Sequence, residues 1–225
     1  AYVIWGCVIK SRICGIFYFC KTILNFIFFM IRFAPENYRL RIKIMTALEE
    51  IAPGKEPPKK MNAIIEVPEN GYVKYEINKE TGLLRVDRIL HTPMAYPANY
   101  GYFPGTLGDD GDPLDCVVVC NAPLRPGVLI EVRPIGALLM EDQAGGDEKI
   151  ICVPRDNIDP FYTKTEYIEQ LPAILRSKIE YFFQHYKDLQ PNSWSKVTGW
   201  ADRATADKLI MESIDRYWAH KRAGQ

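Results

Sequence analysis

The sequence predicts a mainly β, α+β fold, a small barrel of short strands with two helices packed outside it. Three observations carry that expectation. Between residues 63 and 153 the apolar side chains fall in short or alternating runs separated by Gly, Pro, Asn and Asp, the pattern of strands joined by turns. Beyond residue 165 the spacing changes to threes and fours, which is helical. The strands come first and the helices after, an order that points to α+β rather than to alternating βαβ units.

Taken in chain order, residues 52–60 are rich in Pro, Gly and Lys and read as a linker. Residues 63–67, 73–77 and 83–90 read as strands, with Glu69-Asn70-Gly71 and Lys79-Glu80-Thr81-Gly82 as turns between them. Runs at 116–120, 128–139 and 149–153 continue the strand pattern. Ile168, Leu171, Leu175, Ile179, Phe182, Phe183 and Tyr186 then mark one face of an amphipathic helix. Ala206, Leu209, Ile210, Ile214, Tyr217 and Trp218 mark a second helix. No internal repeat is present.

Composition is that of a globular protein, 48% hydrophobic and 25% charged with no net charge. The balance hides a division. Residues 1–44 carry seven Lys or Arg and one acid, Glu36, so the totals of 28 and 28 leave 21 basic and 27 acidic side chains in residues 45–225. An acidic body is a poor partner for nucleic acid, where affinity comes from neutralising phosphates; it suits a collector of divalent cations. The six cysteines contain no C-x-x-C pair, which argues against a zinc ribbon or a thioredoxin-like redox centre and makes a reducing compartment the default.

Residues 1–44 are read apart from the rest. From 13 to 31 the chain is almost wholly apolar with basic flanks, about the 19 residues a bilayer core requires. Lys21 and Asn25 interrupt it, and a mid-membrane lysine costs roughly 2.5–3.5 kcal/mol on insertion scales. Met45 followed by Thr-Ala-Leu-Glu-Glu has the look of a cytosolic start. Three readings stand open: a stretch extraneous to the working protein, a membrane anchor, and a targeting peptide. The expected catalytic body is 45–225, placed in the cytoplasm, with a membrane location only if the head acts as an anchor.

The chemistry concentrates in acidic loops. Asp109-Asp110-Gly111-Asp112-Pro113-Leu114-Asp115 sets carboxylates at 110, 112 and 115 on a Gly- and Pro-shaped loop just before a strand. Uncompensated, such neighbours raise one another's pKa; a bound hard cation relieves them, and magnesium favours carboxylate and water oxygens. Read alone, the loop is as well explained as a solvated acidic turn. A calcium EF-hand does not fit, because its glycine and glutamate positions hold Asp115 and Asn121. A second acidic group, Glu141, Asp142, Asp147 and Glu148, surrounds Ala144-Gly145-Gly146. Two such loops at strand ends can meet over one site. Candidate anion binders are Lys74, which shares a strand face with Glu76, Arg85 and Arg88 on a strand that also carries Asp87, and Tyr186-Lys187 at the end of the long helix. The segment Tyr96-Pro-Ala-Asn-Tyr100-Gly-Tyr102 brings three phenols able to donate to phosphate oxygens. No G-x-S-x-G elbow is present, and the three histidines suggest no covalent nucleophile.

Together these segments resemble the soluble (type I) inorganic pyrophosphatases. The resemblance runs through Ile65-Glu66-Val67-Pro68, Lys74-Tyr75-Glu76, Val86-Asp87-Arg88, the tyrosine segment from Tyr96 to Tyr102, Asp110-Gly-Asp112-Pro-Leu-Asp115, Asp142 to Lys149, and Phe182-Phe-Gln-His-Tyr186-Lys187, in order and in approximate spacing. Residues 1–44 have no counterpart. The resemblance implies a five-stranded closed barrel of oligonucleotide-binding-like shape and hydrolysis of inorganic pyrophosphate to two orthophosphates. It implies several magnesium ions per site, with other divalent metals compatible. Asp110, Asp115 and Asp147 would hold the tightest metal, Asp115 bridging to a second. Asp142 would help hold a metal arriving with substrate, and Glu66 would reach another through water. Asp112 would be the general base, and Lys74, Arg88, Tyr100, Tyr186 and Lys187 would grip the phosphoryl groups. Glu76, Tyr96, Asp87 and Lys149 would support them. The length of the body is similar to the bacterial branch, which implies a homohexamer.

Two rivals remain at this stage. A metal-dependent phosphatase acting on nucleoside triphosphates or polyphosphate would share the acidic loops, although no P-loop or base-stacking motif is visible. A nucleic-acid-binding barrel would need a basic, aromatic-studded face, which the acidic body lacks.

Overall fold

The computed structural model describes residues 51–78, 83–143 and 145–223. Among these residues ten strands are seen: β1 (Gly54–Glu56), β2 (Lys60–Val67), β3 (Val73–Ile77), β4 (Leu84–Ile89), β5 (Asn99–Tyr102), β6 (Asp115–Val118), β7 (Leu129–Asp142), β8 (Gly145–Gly146), β9 (Lys149–Pro154) and β10 (Ser195–Ala201). Two α-helices lie late in the described residues, α1 (Ala173–His185) after β9 and α2 (Arg203–Ala223) after β10.

Five strands close on themselves. β2 pairs with β5, β5 with β6, β6 with β9 in parallel, β9 with β7, and β7 returns to β2. This ring of five is the barrel that the sequence resemblance implied. The 14-residue β7 makes closure possible, since its first part pairs with β2 and its later part with β9 and β10. Pro134 lacks the N–H a central strand needs, and it sits where the β7–β9 register shifts. The hairpin of β3 and β4 forms a separate two-stranded sheet.

Alternation sorts the strand side chains into two cores. Met61, Ala63, Ile65, Cys116, Val118, Ile150 and Cys152 pack with Ala206, Ile210 and Ile214 of α2. Val117, Ile151 and Val153 pack with Ile179, Phe182 and Phe183 of α1. Val67 breaks parity with Ile65 by joining the α1 core, because the β2–β5 register slips between them. The residue left over by that slip is Glu66. Such bulges re-aim a side chain next to functional sites.

The structure revises several local expectations. The residues read as a linker contain β1, paired to β2. The long helix begins at Ala173 and not at Ile168, because Pro172 holds Leu171 extended (ψ 146°) and Ile168–Gln170 is a 3-10 turn. Beyond β1, three further strands, β5, β8 and β10, have no counterpart in the strands expected from sequence. Asn70, in the expected turn, adopts φ 63°. The turn expected at 79–82 and the readings of residues 1–44 lie outside the described residues. Among the described residues no helix is long and apolar enough to cross a membrane.

Candidate active site

A cleft of about 530 Å³ opens where the strand ends and the C-terminus of α1 meet. Fourteen of the fifteen residues to which the resemblance gives a role line it, and the exception, Asp87, sits one residue behind the wall, accepting a 2.6 Å hydrogen bond from Nε of Arg88.

The floor is built around one buried lysine. Lys149 opens β9 and is 1% exposed. Its ammonium donates to Asp115 at 2.6 Å and also to Asp147. Parallel pairing of β6 with β9 sets this up, since Cys116 lies opposite Ile150 and so brings Asp115 beside Lys149. Burial works against the Lys149 charge, but the two carboxylates outweigh it and its pKa rises above the usual lysine range. Burial pushes the Asp147 carboxyl up, against the pull of Lys149.

A second cluster lies on β2 and β3. Lys74 Nζ is 3.6 Å from Glu66 Oε2 and 3.6 Å from Glu76 Oε1. Burial raises the Glu66 pKa to about 7, with Lys74 opposing and Asp115 adding to the rise. The Lys74 pKa is also raised, because Glu66 and Asp115 overcome the cost of burial. Opposite, Lys187 Nζ reaches Asp142 Oδ2 at 2.7 Å. The cleft's cations are thus held by acids, each on a strand or helix end that fixes its position.

The phenols are set by aromatic packing. Tyr96 lies 4.5 Å from Phe182 and 5.1 Å from Tyr100, centroid to centroid, and Tyr186 stacks on Phe182 at 5.3 Å. The helical period that puts Phe182 and Phe183 in the core therefore also places Tyr186 and Lys187 at the cleft. Burial raises the Tyr100 and Tyr186 pKa values, so both are neutral hydrogen-bond donors. Gly101 between the tyrosines is required by sheet contact, since a Cβ there would lie 1.9 Å from the Ile64 carbonyl oxygen.

The acidic loop forms the open wall. Asp110 and Asp112 are exposed. Asp110 Oδ1 accepts from Asp112 N at 3.0 Å, and Gly108 N donates to Asp112 O at 2.6 Å. Gly111 takes φ +89°, a conformation that glycine adopts without strain.

Seven carboxylates (Glu66, Glu76, Asp110, Asp112, Asp115, Asp142 and Asp147) face five cations (Lys74, Arg85, Arg88, Lys149 and Lys187) in this lining. Such a cleft repels an anion until further positive charge arrives, and its hard oxygen donors suit divalent magnesium. Among the described residues no three acid, His or Cys side chains already converge on one point; the donors fit by chemistry, with lysines holding several of them. The wall also holds Arg85 and Tyr102, which the residue patterns singled out but to which the family resemblance gave no role, and Ile77 and Asn78, which sequence reasoning left out. Tyr102 shares the period-two face of Tyr100, and Arg85 pairs across the hairpin with Glu76 at 2.9 Å. His185 turns away, its ring 4.4 Å from that of Tyr181 and its Nδ1 2.9 Å from Asp188.

A family model for inorganic pyrophosphatase matches residues 63–218. A protein named inorganic pyrophosphatase from Gluconobacter oxydans is 53% identical over 167 residues, covering 74% of this chain and 96% of that one. One of the same name from Caulobacter vibrioides is 54% identical over 171 residues, covering 76% and 97%. The solved structure of an inorganic pyrophosphatase from Coxiella burnetii matches with a TM-score of 0.72 at 45% identity, covering 74% of this chain and 99% of that one.

Proposed function

The chain belongs to the inorganic pyrophosphatase family, and we propose that it hydrolyses inorganic pyrophosphate to two orthophosphates with magnesium and without a covalent intermediate. The observation that carries this reading is the convergence of acids, fixed cations and phenols on one cleft whose own charge balance demands added cations.

In this reading Asp110, Asp115 and Asp147 hold the tightest metal, Asp142 shares one that comes with substrate, and Glu66 acts through water. Metal bound there supplies positive charge, which lowers the pKa of water and offsets charge on the phosphoryl oxygens. Asp112 takes the proton of the attacking water. The water oxygen bonds to one phosphorus as the bridging P–O bond breaks, and the bridging oxygen leaves with the electron pair on the second orthophosphate. Lys74, Arg88, Lys187, Tyr100 and Tyr186 bind the phosphoryl oxygens and stabilise charge as it shifts to the leaving group. Lys149 bridges Asp115 and Asp147 and holds both oriented. Asp87 steadies Arg88, Tyr96 wedges between Phe182 and Tyr100, and Glu76 steadies Lys74.

The same proposal takes residues 45–225 as the catalytic body, in the cytoplasm and assembled as a homohexamer, supported by the resemblance to the bacterial branch. A chain starting at Met45 is expected to keep its activity; loss of activity would assign the head a role in catalysis or folding. The test of function is orthophosphate release by the full chain. Release from pyrophosphate that needs magnesium, stops with a chelator and is weak from ATP supports the reading. Equal release from ATP, or none from either, contradicts it.

A further inference from the structure

The acidic loop is bound to the barrel at its base and to the C-terminal helix at its shoulder. At the base, Thr106, 2% exposed, donates through Oγ1 to Phe103 O at 2.6 Å and accepts from Leu114 N at 2.9 Å. Phe103 and Leu114, on either side of the loop, pack in the same core as Ile210 and Ile214 of α2. At the shoulder, Leu107 N donates to Ser213 O at 3.0 Å, and Arg216 Nε donates to Leu107 O at 2.9 Å. Both backbone groups of Leu107 are therefore taken up by α2. The Arg216 guanidinium also lies 3.3 Å from Asp109 Oδ1. From Gly108 to Asp112 the loop's remaining bonds are internal: Gly108 to Asp112, Gly111 to Gly108, and the Asp110 side chain to Asp112.

We propose that Arg216 is a positioning residue for the acidic loop: a brace from α2 that fixes the direction in which Asp110 and Asp112 enter the cleft. Arg216 does not line the cleft, so it acts through Leu107 and Asp109. The planar guanidinium suits this, since its rigid fork engages a carbonyl and a carboxylate at once. Because α2 is anchored by Ala206, Ile210 and Ile214 in the core, the brace ties the loop to a helix packed on the barrel. The consequence for catalysis rests on the role proposed above for Asp110 and Asp112; the mechanical role does not.

The test uses the full chain with Arg216→Ala and, as a milder variant that leaves α2 untouched, Asp109→Asn. Hydrogen exchange across residues 104–114, measured without metal, is expected to quicken about fivefold or more in Arg216→Ala, as for loss of a charge-assisted bond, while residues 206–214 stay protected. The magnesium concentration for half-maximal phosphate release is expected to rise about threefold or more, with turnover at saturating magnesium much less affected. Asp109→Asn should shift both in the same direction by less. A folded Arg216→Ala protein with unchanged loop exchange and magnesium dependence overturns the brace. If that variant fails to fold, unchanged loop exchange in Asp109→Asn overturns it instead. If the unaltered chain releases no phosphate, the functional reading fails, and loop exchange still decides the brace.

Discussion

The floor and the open wall of the cleft are both made of aspartates, and they are held by opposite means. On the floor, Asp115 and Asp147 share a buried ammonium, and every partner stands on or beside a strand of the barrel. On the wall, Asp110 and Asp112 are exposed, and among the described residues neither is ion-paired; their direction comes from backbone bonds and from α2. The floor's charge is settled by folding. The wall's charge is left for solvent or metal. A site that must gather cations and then an anion needs both kinds of carboxylate, one fixed in advance and one still unsatisfied.

The comparison can be broken most severely at the floor. Replacing Lys149 with Ala leaves two partly buried carboxylates uncompensated, and urea unfolding is expected to show a loss of about 3–5 kcal/mol, the usual cost of removing one partner from a buried pair. Added magnesium should recover part of it; a loss under about 1 kcal/mol would show that solvent reaches the floor freely. Next comes the base of the wall. Thr106→Val strips hydrogen bonds from Phe103 O and Leu114 N in a buried setting, for an expected loss of about 1–3 kcal/mol. The smallest effect belongs to Asp87→Asn. That pair is half-exposed and worth about 0.2–1 kcal/mol, so KM for pyrophosphate should rise no more than about fivefold with turnover nearly unchanged.

Legibility in the sequence followed the same division between local and long-range causes. Strand β3 was read at its observed limits because the Asn70-Gly71 turn and strict alternation are local signals. Strand β5 was invisible as a strand because Pro97, Asn99 and Gly101 carry weak strand propensity; pairing on both edges, with β2 and β6, imposes the conformation. In β10 the shift between Val197 and Gly199, with Gly199 at φ 150°, spoils the alternation that would have announced it. The helix start was misplaced because Ile168 and Leu171 keep helical spacing while Pro172 forbids the helix. The site residues were recognisable by motif, yet their partnerships were not. Lys149 touching Asp115, 34 residues earlier, depends on a parallel pairing, and Arg216 touching Leu107, 109 residues earlier, depends on how α2 docks. Neither spacing leaves a periodic trace.

The central claim, that an exposed wall carboxylate does the proton chemistry over a preformed floor, is tested most directly by Asp112→Asn in the full chain. Urea stability is expected to stay within about 0.5 kcal/mol, as for an exposed substitution, and magnesium binding without substrate is expected to persist. Turnover of pyrophosphate should fall by about 10²–10⁴-fold, the usual contribution of general base catalysis. Turnover within about threefold of the unaltered chain, at unchanged stability, would contradict the account and remove Asp112 as the base.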